Sequence, residues 1–171
     1  MEKLFVLAGK AKSGKDTIAS IIKEKYQDKK VLIYEATTYL KNYIKIITNW
    51  NGSEEDKPRD LLQSLGREIK DKYPNFFIDR MKEDINFLEN YYDIIIITGV
   101  RLEKELNFLK NEFNAILVKV ERNTDNNLTE KQKNDITETD MDNFKNYDYI
   151  IENNEDIEKL KEKVNQIMEV I

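Results

Sequence analysis

Short apolar runs alternate along this chain with longer segments in which apolar residues recur every three or four positions. The short runs predict strands at residues 3–8, 31–34, 93–98, 115–120 and 147–152. The longer segments predict helices at residues 15–26, 37–50, 76–91, 101–113 and 156–170. A further helix is predicted to begin near Pro58, which suits a first helical turn, and to end before Pro74.

This alternation predicts a doubly wound α/β fold, with a five-stranded parallel sheet flanked by helices. The predicted strand at 93–98 contains four consecutive isoleucines, residues 94–97, which is typical of a central strand that is covered on both faces. Two long insertions interrupt the pattern, over about residues 37–90 and 121–146. The second is polar and weakly periodic, so we expect a mobile excursion with few apolar anchors and a short helix near residues 129–133.

The chain has 171 residues, of which 40% are hydrophobic and 36% charged, a balance typical of one globular domain over residues 1–171. The net charge of −5 argues against a nucleic-acid partner, because proteins that bind duplexes usually carry a positive excess. The apolar runs are too short for a signal peptide or for a membrane span of about 20 residues. We therefore expect a cytoplasmic protein with no membrane partner.

Cysteine and histidine are both absent from the chain. Their absence excludes disulfides, thiol nucleophiles, imidazole bases and zinc sites built from these two residues. Any metal is then a hard cation held by oxygen atoms, such as Mg²⁺. Chemistry is left to carboxylates, lysines, arginines and backbone amides.

A glycine-rich segment directly follows the first predicted strand and precedes the first predicted helix. It reads Gly9-Lys10-Ala11-Lys12-Ser13-Gly14-Lys15-Asp16-Thr17 and fits the phosphate-binding pattern G-x-x-x-x-G-K. In such a loop, backbone N–H groups and a helix N-terminus surround a polyphosphate, and the lysine reaches its β- and γ-phosphates. We therefore assign residues 9–17 to ATP binding and Lys15 also to catalysis. The alternative is a glycine-rich turn that binds nothing.

The loop departs from the usual pattern at one position. Asp16 follows Lys15 where a hydroxyl that binds Mg²⁺ is usual, and Thr17 comes one place later. Asp16 is therefore the predicted metal ligand, directly or through water. Thr17 is predicted to donate a hydrogen bond to the α-phosphate.

The remaining motifs favour a small-molecule kinase. The base-reading and switch motifs of small GTPases are missing, and residues 93–98 end without the acidic residue that mechanical ATPases need. Lysine greatly outnumbers arginine, so the few arginines are candidates for positions that need a planar, two-pronged phosphate contact. These arginines are Arg59, Arg67, Arg80, Arg101 and Arg122. An arginine that survives by chance in a surface ion pair is the alternative for each.

Several segments resemble the deoxynucleoside monophosphate kinases of phages and bacteria. Residues 12–17 resemble that family's S-G-K-D-T loop, including the unusual Asp16. Leu61-Leu62-Gln63-Ser64-Leu65-Gly66 is similar to its L-L-Q-x-L-G segment. Ile97-Thr98-Gly99-Val100-Arg101, followed by Glu105, is similar to its I-T-D-V-R-x-x-x-E segment. Residues 137–153 resemble its S-E-x-x-x…D-Y-x-I-x-N ending, so the resemblance covers nearly the whole chain.

The resemblance implies the strand order 2-3-1-4-5, ATP and a deoxynucleoside monophosphate as substrates, and Mg²⁺ as cofactor. It implies that the acceptor binds to the insertion at 37–90 and nearby residues, through Lys41, Arg59, Gln63, Arg67, Arg80 and Arg101. Within this set, Arg59, Arg80 and Arg101 would grip the 5′-phosphate, and Gln63 would read a base edge. The insertion at 121–146 would be a lid, whose Arg122 closes onto the transferring phosphoryl group and is the second predicted catalytic residue.

The sequence also departs from that family's pattern. Gly99 stands where an Asp is expected, which removes an acidic contact to Mg²⁺ from that strand, and Arg67 stands where threonine is common. Two other functions stay open: a different P-loop kinase, of the phosphomevalonate or dephospho-CoA kinase type, and a nucleotide-binding regulatory module without turnover. The sequence leaves a homodimer open, and it determines neither the accepted base nor how 2′-deoxyribose is distinguished.

Overall fold

The computed structural model describes residues 1–123 and 128–171. Its strands are β1 (Lys3–Ala8), β2 (Val31–Glu35), β3 (Ile94–Thr98), β4 (Ile116–Glu121) and β5 (Tyr149–Glu152). Its helices are α1 (Lys15–Lys25), α2 (Thr38–Thr48), α3 (Arg59–Lys72), α4 (Phe76–Leu88), α5 (Glu103–Phe113), α6 (Glu130–Lys133), α7 (Ile136–Thr139) and α8 (Ile157–Val170). A 3₁₀ turn, Asp140–Asn143, follows α7. Among the described residues, no helix has both the length and the apolar character needed to cross a bilayer.

The strands form one parallel sheet in the order β2-β3-β1-β4-β5. The predicted doubly wound sheet and its strand order are therefore confirmed. β3 lies between β2 and β1, so that Ile94 is opposite both Val31 and Lys3. Helices cover both faces of this interior strand, so the side chains on both faces need to be apolar. This explains the unbroken run of isoleucines at residues 94–97.

Alternate residues of the strands face two separate hydrophobic clusters. Phe5 and Leu7 of β1 face the cluster that contains α1 and α8, with Ile18, Ile22 and Val164 among its members. Leu4, Val6 and Ala8 face the cluster that contains α4 and α5, with Met81, Ile85, Leu106 and Leu109. The two-residue period of a strand places each set on its own face of the sheet.

A smaller cluster holds α2 and α3 together beside the sheet. Leu40, Ile44, Trp50 and Phe77 form its buried centre. Gly66 of α3 is buried, and a Cβ built there would lie only 3.3 Å from Leu40 Cδ2. α2 and α3, two of the three helices of the first insertion, therefore pack closely.

Several predicted boundaries differ from the observed ones by a few residues. The helix predicted over 37–50 ends at Thr48, because Asn49 takes the left-handed conformation (φ 57°) that terminates helices. The helix predicted over 76–91 ends at Leu88, and residues 89–92 form a turn before β3. Helix ends depend on the cap conformation, which the apolar spacing does not specify.

The second insertion is more ordered than its sequence predicts. α6 is the short helix expected near residues 129–133, whereas α7 and the 3₁₀ turn were not predicted. Leu128 and Phe144 are the buried apolar side chains in the described part of this insertion, in keeping with the expectation of few apolar anchors. Residues 124–127, which the predicted lid also includes, lie outside the described residues.

Candidate phosphate-binding site

The loop between β1 and α1 has a backbone conformation that its glycines make possible. Gly9 and Gly14 have φ values of 152° and 101°, in a region where side chains are strained. A Cβ at Gly9 would lie 2.3 Å from the carbonyl oxygen of Val120, so the loop also passes too close to β4 for any side chain. The predicted glycines are therefore required by the local geometry.

Lys15 is the first residue of α1, and its ammonium group turns back into the loop. Its Nζ donates to the carbonyl oxygens of Gly9 (2.9 Å) and Lys10 (2.7 Å) and to Ser13 Oγ (3.3 Å). Burial, and to a smaller extent the positive charge of Arg101, together lower the pKa of Lys15 to about 7. A bound phosphate would supply the negative charge that this buried cation lacks, and would raise its pKa again.

Asp16 and Thr17 are both exposed at the start of α1, beside the loop. The described residues contain no group of three or more acidic side chains able to hold a metal ion by themselves. Mg²⁺ is commonly bound by one or two carboxylates, several waters and substrate phosphates rather than by a protein cage. An exposed Asp16 next to a phosphate-binding loop fits that mode of binding.

Asn153 is a site residue that sequence reasoning did not single out. It directly follows β5, is buried, and its Nδ2 donates to the carbonyl oxygen of Ser13 (2.9 Å). A Cβ at Gly14 would lie 2.3 Å from the same Nδ2 atom. The Asn153 side chain therefore holds residues 13 and 14 of the loop against the end of β5. Its signals in the sequence were its place at the end of the last strand and its match to the final residue of the D-Y-x-I-x-N ending.

Replacing Asn153 by Ala is expected to destabilise the protein by about 1–3 kcal/mol, because the Ser13 carbonyl loses a buried donor. The Michaelis constant for ATP should rise as well, since the loop loses its support from β5. Urea unfolding and steady-state kinetics measure the two effects. Asn154→Ala is the matched control: Asn154 is exposed and, among the hydrogen bonds of the described residues, accepts only from the Asn123 N–H, so the loss should stay below about 1 kcal/mol. Equal losses in both variants would contradict the role of Asn153.

A small cavity of about 100 Å³ lies where β2 and β3 end, and we call it the basic cavity. Its cationic lining residues are Lys41, Lys57, Arg59 and Arg101. Three of the predicted acceptor residues, Lys41, Arg59 and Arg101, therefore meet here, and Gln63 joins them. Three carboxylates partly offset their charge: Glu35 pairs with Lys41, Glu54 with Arg59, and Glu138 with Arg101.

Lys57 is the second residue that sequence reasoning missed. Its side chain is only 15% exposed and pairs with Glu54 (3.0 Å). Burial lowers the pKa of Lys57, and the nearby charge of Lys41 lowers it further. In the sequence it stands in a charged loop and looks like a solvated lysine. It lines the basic cavity together with Lys41 of α2 and Arg59 of α3.

Gly99 occupies the position at which the similar I-T-D-V-R-x-x-x-E segment has an aspartate. A Cβ at Gly99 would lie 3.2 Å from Glu35 Cγ and 3.3 Å from Thr37 Oγ1, and φ at this residue is +79°. A side chain is therefore disfavoured at position 99. Glu35, at the end of the neighbouring strand β2, places a carboxylate in the same part of the site.

Arg67 and Gln63 line a larger cavity of about 560 Å³ between α3 and α5, which we call the α3–α5 cavity. Arg67 Nη2 donates to Asp135 Oδ2 (2.5 Å). Burial would raise the pKa of Asp135, but hydrogen bonds from Thr137 and Arg67 hold it below its usual range. Arg67 therefore links α3 to the second insertion and does not reach the basic cavity.

Arg80 lies apart from the other predicted acceptor residues. It is on α4, where its Nη2 donates to Glu83 Oε1 (2.7 Å) three residues along the same helix. Within the described part of the chain, Arg80 lines neither the basic cavity nor the α3–α5 cavity. The structure therefore does not bring Arg80 to the acceptor residues, and its phosphate contact stays a prediction.

Arg122 follows β4 and lines a third cavity of about 330 Å³, the P-loop cavity, together with Gly9, Lys10 and Ser13. The arginine itself is exposed. This position beside the loop agrees with a side chain that can reach bound phosphate, although its catalytic role stays a prediction.

The family comparison gives one match. The deoxynucleotide monophosphate kinase model matches residues 29–164. The phosphate-binding loop precedes that range, so the geometry of the loop and the family match are independent observations. A search of curated protein sequences finds no match.

Solved structures of several kinases share the fold. Dephospho-CoA kinase from Campylobacter jejuni has 14% identity and a TM-score of 0.58, covering 99% of this chain and 96% of that chain. Shikimate kinase from Aquifex aeolicus has 16% identity and a TM-score of 0.53, covering 98% and 96%. A sugar kinase from Janibacter sp. has 13% identity and a TM-score of 0.52, covering 99% and 96%. At these identities the likeness establishes the P-loop kinase fold and nothing finer.

Proposed function

We propose that this chain, which belongs to the deoxynucleotide monophosphate kinase family, transfers the γ-phosphoryl group of ATP to deoxynucleoside 5′-monophosphates. The family and the kinase fold support a phosphotransferase that acts on a small, nucleotide-like acceptor. The deoxynucleoside monophosphate is the finer step, and it is the part that we propose.

The observation that carries the proposal is that a phosphate-binding loop and a second cationic pocket lie side by side. The positive charges of Arg101 and Lys57 are close enough to lower the pKa of Lys15. Transfer between two phosphates requires two adjacent anion-binding sites, each of the size of a phosphate group. The α3–α5 cavity continues from the basic cavity through Gln63 and Thr137, and its 560 Å³ offers room for a nucleoside.

In this mechanism, catalysis consists of positioning and charge neutralisation. The N–H groups of the loop and Lys15 hold the donor phosphates, and Arg59, Lys41 and Lys57 hold the acceptor phosphate. Arg101 lies between the two groups and neutralises the charge that develops during transfer. The acceptor oxygen is already ionised, so the reaction needs no general base, in agreement with a chain that lacks histidine.

Mg²⁺ fits this site through Asp16, with the remaining ligands coming from phosphate oxygens and water. When bound, the ion would neutralise the β- and γ-phosphates and orient them for attack. Thr17, next in the chain and also exposed, is in position to donate a hydrogen bond to the α-phosphate.

A coupled assay of ADP release with purified protein tests the proposal. The acceptor panel contains the four common deoxynucleoside monophosphates, the matching ribonucleotides, dephospho-CoA and phosphomevalonate. Turnover with at least one deoxynucleotide, above that with its ribonucleotide, supports the proposal. Turnover with dephospho-CoA or phosphomevalonate alone points to another P-loop kinase, and ATP binding without any turnover points to a regulatory module. Either of the last two results rejects it.

Replacing Arg59 by Lys is expected to raise the Michaelis constant for the monophosphate about tenfold or more, and that for ATP much less. The substitution keeps the charge but loses the two-pronged contact with phosphate. Steady-state kinetics with each substrate varied in turn measures the difference. A larger rise in the Michaelis constant for ATP would show that Arg59 contacts ATP and not the acceptor.

Arg80→Lys provides the comparison for Arg59→Lys. The sequence predicts the same effect for both arginines, whereas the geometry gives Arg80 no place in the basic cavity. A rise for Arg59→Lys alone supports the geometry, and equal rises support the sequence prediction.

A further inference from the structure

Glu138, in the short helix α7, places its carboxylate inside the phosphate-binding loop. Its Oε2 accepts from the backbone N–H of Ala11 (3.0 Å), and its Oε1 accepts from Arg101 Nη1 (2.9 Å). The side chain is only 8% exposed. It lines both the P-loop cavity and the basic cavity, and so forms part of the wall between them.

The groups around this carboxylate are those that bind a phosphoryl group. Ala11 N–H belongs to the loop whose amides surround polyphosphate, and Arg101 carries a guanidinium that suits phosphate and carboxylate alike. The negative charge of Glu138 also raises the pKa of Lys15, against the effect of burial. An anion from the chain itself therefore satisfies an anion-binding cradle.

We propose that Glu138 occupies the subsite of the transferring phosphoryl group when the protein is empty, and that a bound polyphosphate must displace it. The inference rests on the proposed function for the identity of the subsite. In the liganded protein, the Ala11 N–H and the Arg101 guanidinium would then both donate to the same phosphoryl group. Glu138 is then an internal competitor that lowers the apparent affinity for polyphosphate by the fraction of molecules in which it fills the cradle.

The contacts of the surrounding segment connect this displacement to a movement of residues 135–143. Asp142 pairs with Lys10 of the loop (3.1 Å), and Asp140 accepts from the N–H of Glu103 (2.7 Å). Asp142 and Lys10 are both substantially exposed, and an exposed pair of this kind contributes little free energy. The contacts of Glu138 are more buried than that pair, so their loss should loosen the segment, although Asp135 still ties its start to Arg67.

The test measures binding of inorganic tripolyphosphate, without metal or acceptor, by calorimetry. Glu138→Gln keeps the shape of the side chain but removes its charge, so the loop amide and Arg101 lose their anionic partner. The dissociation constant is expected to fall about tenfold relative to the wild type. Asp140→Asn, in the same segment but without a contact to the loop, is the matched control and should change it less than about twofold.

Hydrogen exchange of the wild-type protein gives a second measurement that needs no variant. Tripolyphosphate should speed exchange in residues 135–143 while it slows exchange in residues 9–14. Equal or undetectable tripolyphosphate binding by wild type and Glu138→Gln overturns the inference, as does weaker binding by the variant. Slower exchange in 135–143 on binding also overturns it, because the segment would then tighten around the phosphate.

These results are separate from those of the acceptor assay. Tripolyphosphate has no nucleoside, so its binding does not depend on the identity of the acceptor. If the protein fails to phosphorylate deoxynucleotides, a tenfold fall in the tripolyphosphate dissociation constant of Glu138→Gln still supports the role of Glu138. An unchanged affinity in Glu138→Gln leaves the proposed acceptor untouched.

Discussion

Lys15→Met is expected to lower turnover by about 10³-fold or more while the protein stays folded. The lysine is the buried cation of the loop, and its Nζ contacts only loop oxygens, at Gly9, Lys10 and Ser13, among the hydrogen bonds of the described residues. During transfer, charge that develops on the phosphoryl oxygens loses this fixed partner. Removing one such preorganised donor elsewhere costs about 10²–10³ in rate, and a full positive charge should cost at least as much. Single-turnover kinetics at saturating ATP measures the effect.

Folding of Lys15→Met is checked by its thermal unfolding as a function of pH. In the folded wild type the pKa of Lys15 is about 7, below its ordinary value of 10.5. The buried charge therefore costs stability below pH 7, and this cost disappears as the pH rises from about 7 to 10.5. The variant carries no such charge, so its stability relative to wild type should be greatest near or below pH 7.

Lys23→Met is the matched control for Lys15→Met, because Lys23 is exposed in the last turn of the same helix, α1. Its turnover should equal that of the wild type within about twofold. Nearly normal activity in a folded Lys15→Met variant would reject the assignment of residues 9–17 as a phosphate-binding loop.

Arg122→Ala is expected to lower kcat by about 10³-fold and to leave the affinity for each nucleotide nearly unchanged. The arginine is exposed beside the P-loop cavity and forms none of the described ion pairs, so it is available to a bound phosphoryl group. An interaction made mainly in the transition state appears in kcat rather than in ground-state binding. The size follows from arginine residues that stabilise phosphoryl transfer in other kinases and GTPases.

Lys131→Ala, an exposed cation in α6 of the same insertion, controls for a general loss of positive charge. Its kcat should stay within about twofold of wild type. An Arg122→Ala variant with unchanged kcat, or with a dissociation constant for ATP that rises as much as kcat falls, would show that Arg122 is not a transition-state contact.

The sequence determined the features that depend on local pattern. A strand that ends in Gly9 and leads into Lys15 specifies the phosphate-binding loop, since glycines, amides and a helix start are contributed by consecutive residues. The isoleucine run at 94–97 identified an interior strand, because both its faces need apolar side chains. The meeting of Lys41, Arg59 and Arg101 was also predicted, through the resemblance of their segments to a known family.

The site residues that were missed depend on how separate elements of the fold come together. Lys57 reads as a surface lysine in the sequence, and only the fold places it in the basic cavity beside Lys41 and Arg59. Asn153 gains its role only because β5 ends beside the loop that follows β1. Arg80 shows the reverse case: its type suited phosphate binding, but the direction in which α4 presents it leads to a bond with Glu83. Residue type and spacing contain no information on such directions.

Tertiary structure alone decided how the second insertion is held. Its sequence is polar, and polar segments bury little apolar surface, which is why we predicted a mobile excursion. In the fold, its carboxylates meet cations and amides that come from other elements: Asp135 meets Arg67 of α3, and Glu138 meets Arg101 and the amide of Ala11. Each of these pairs joins residues that lie between 37 and 127 positions apart. The pattern along the chain therefore specified which groups were available, and only the folded sheet, by bringing its strand ends together, determined which of them neutralise one another.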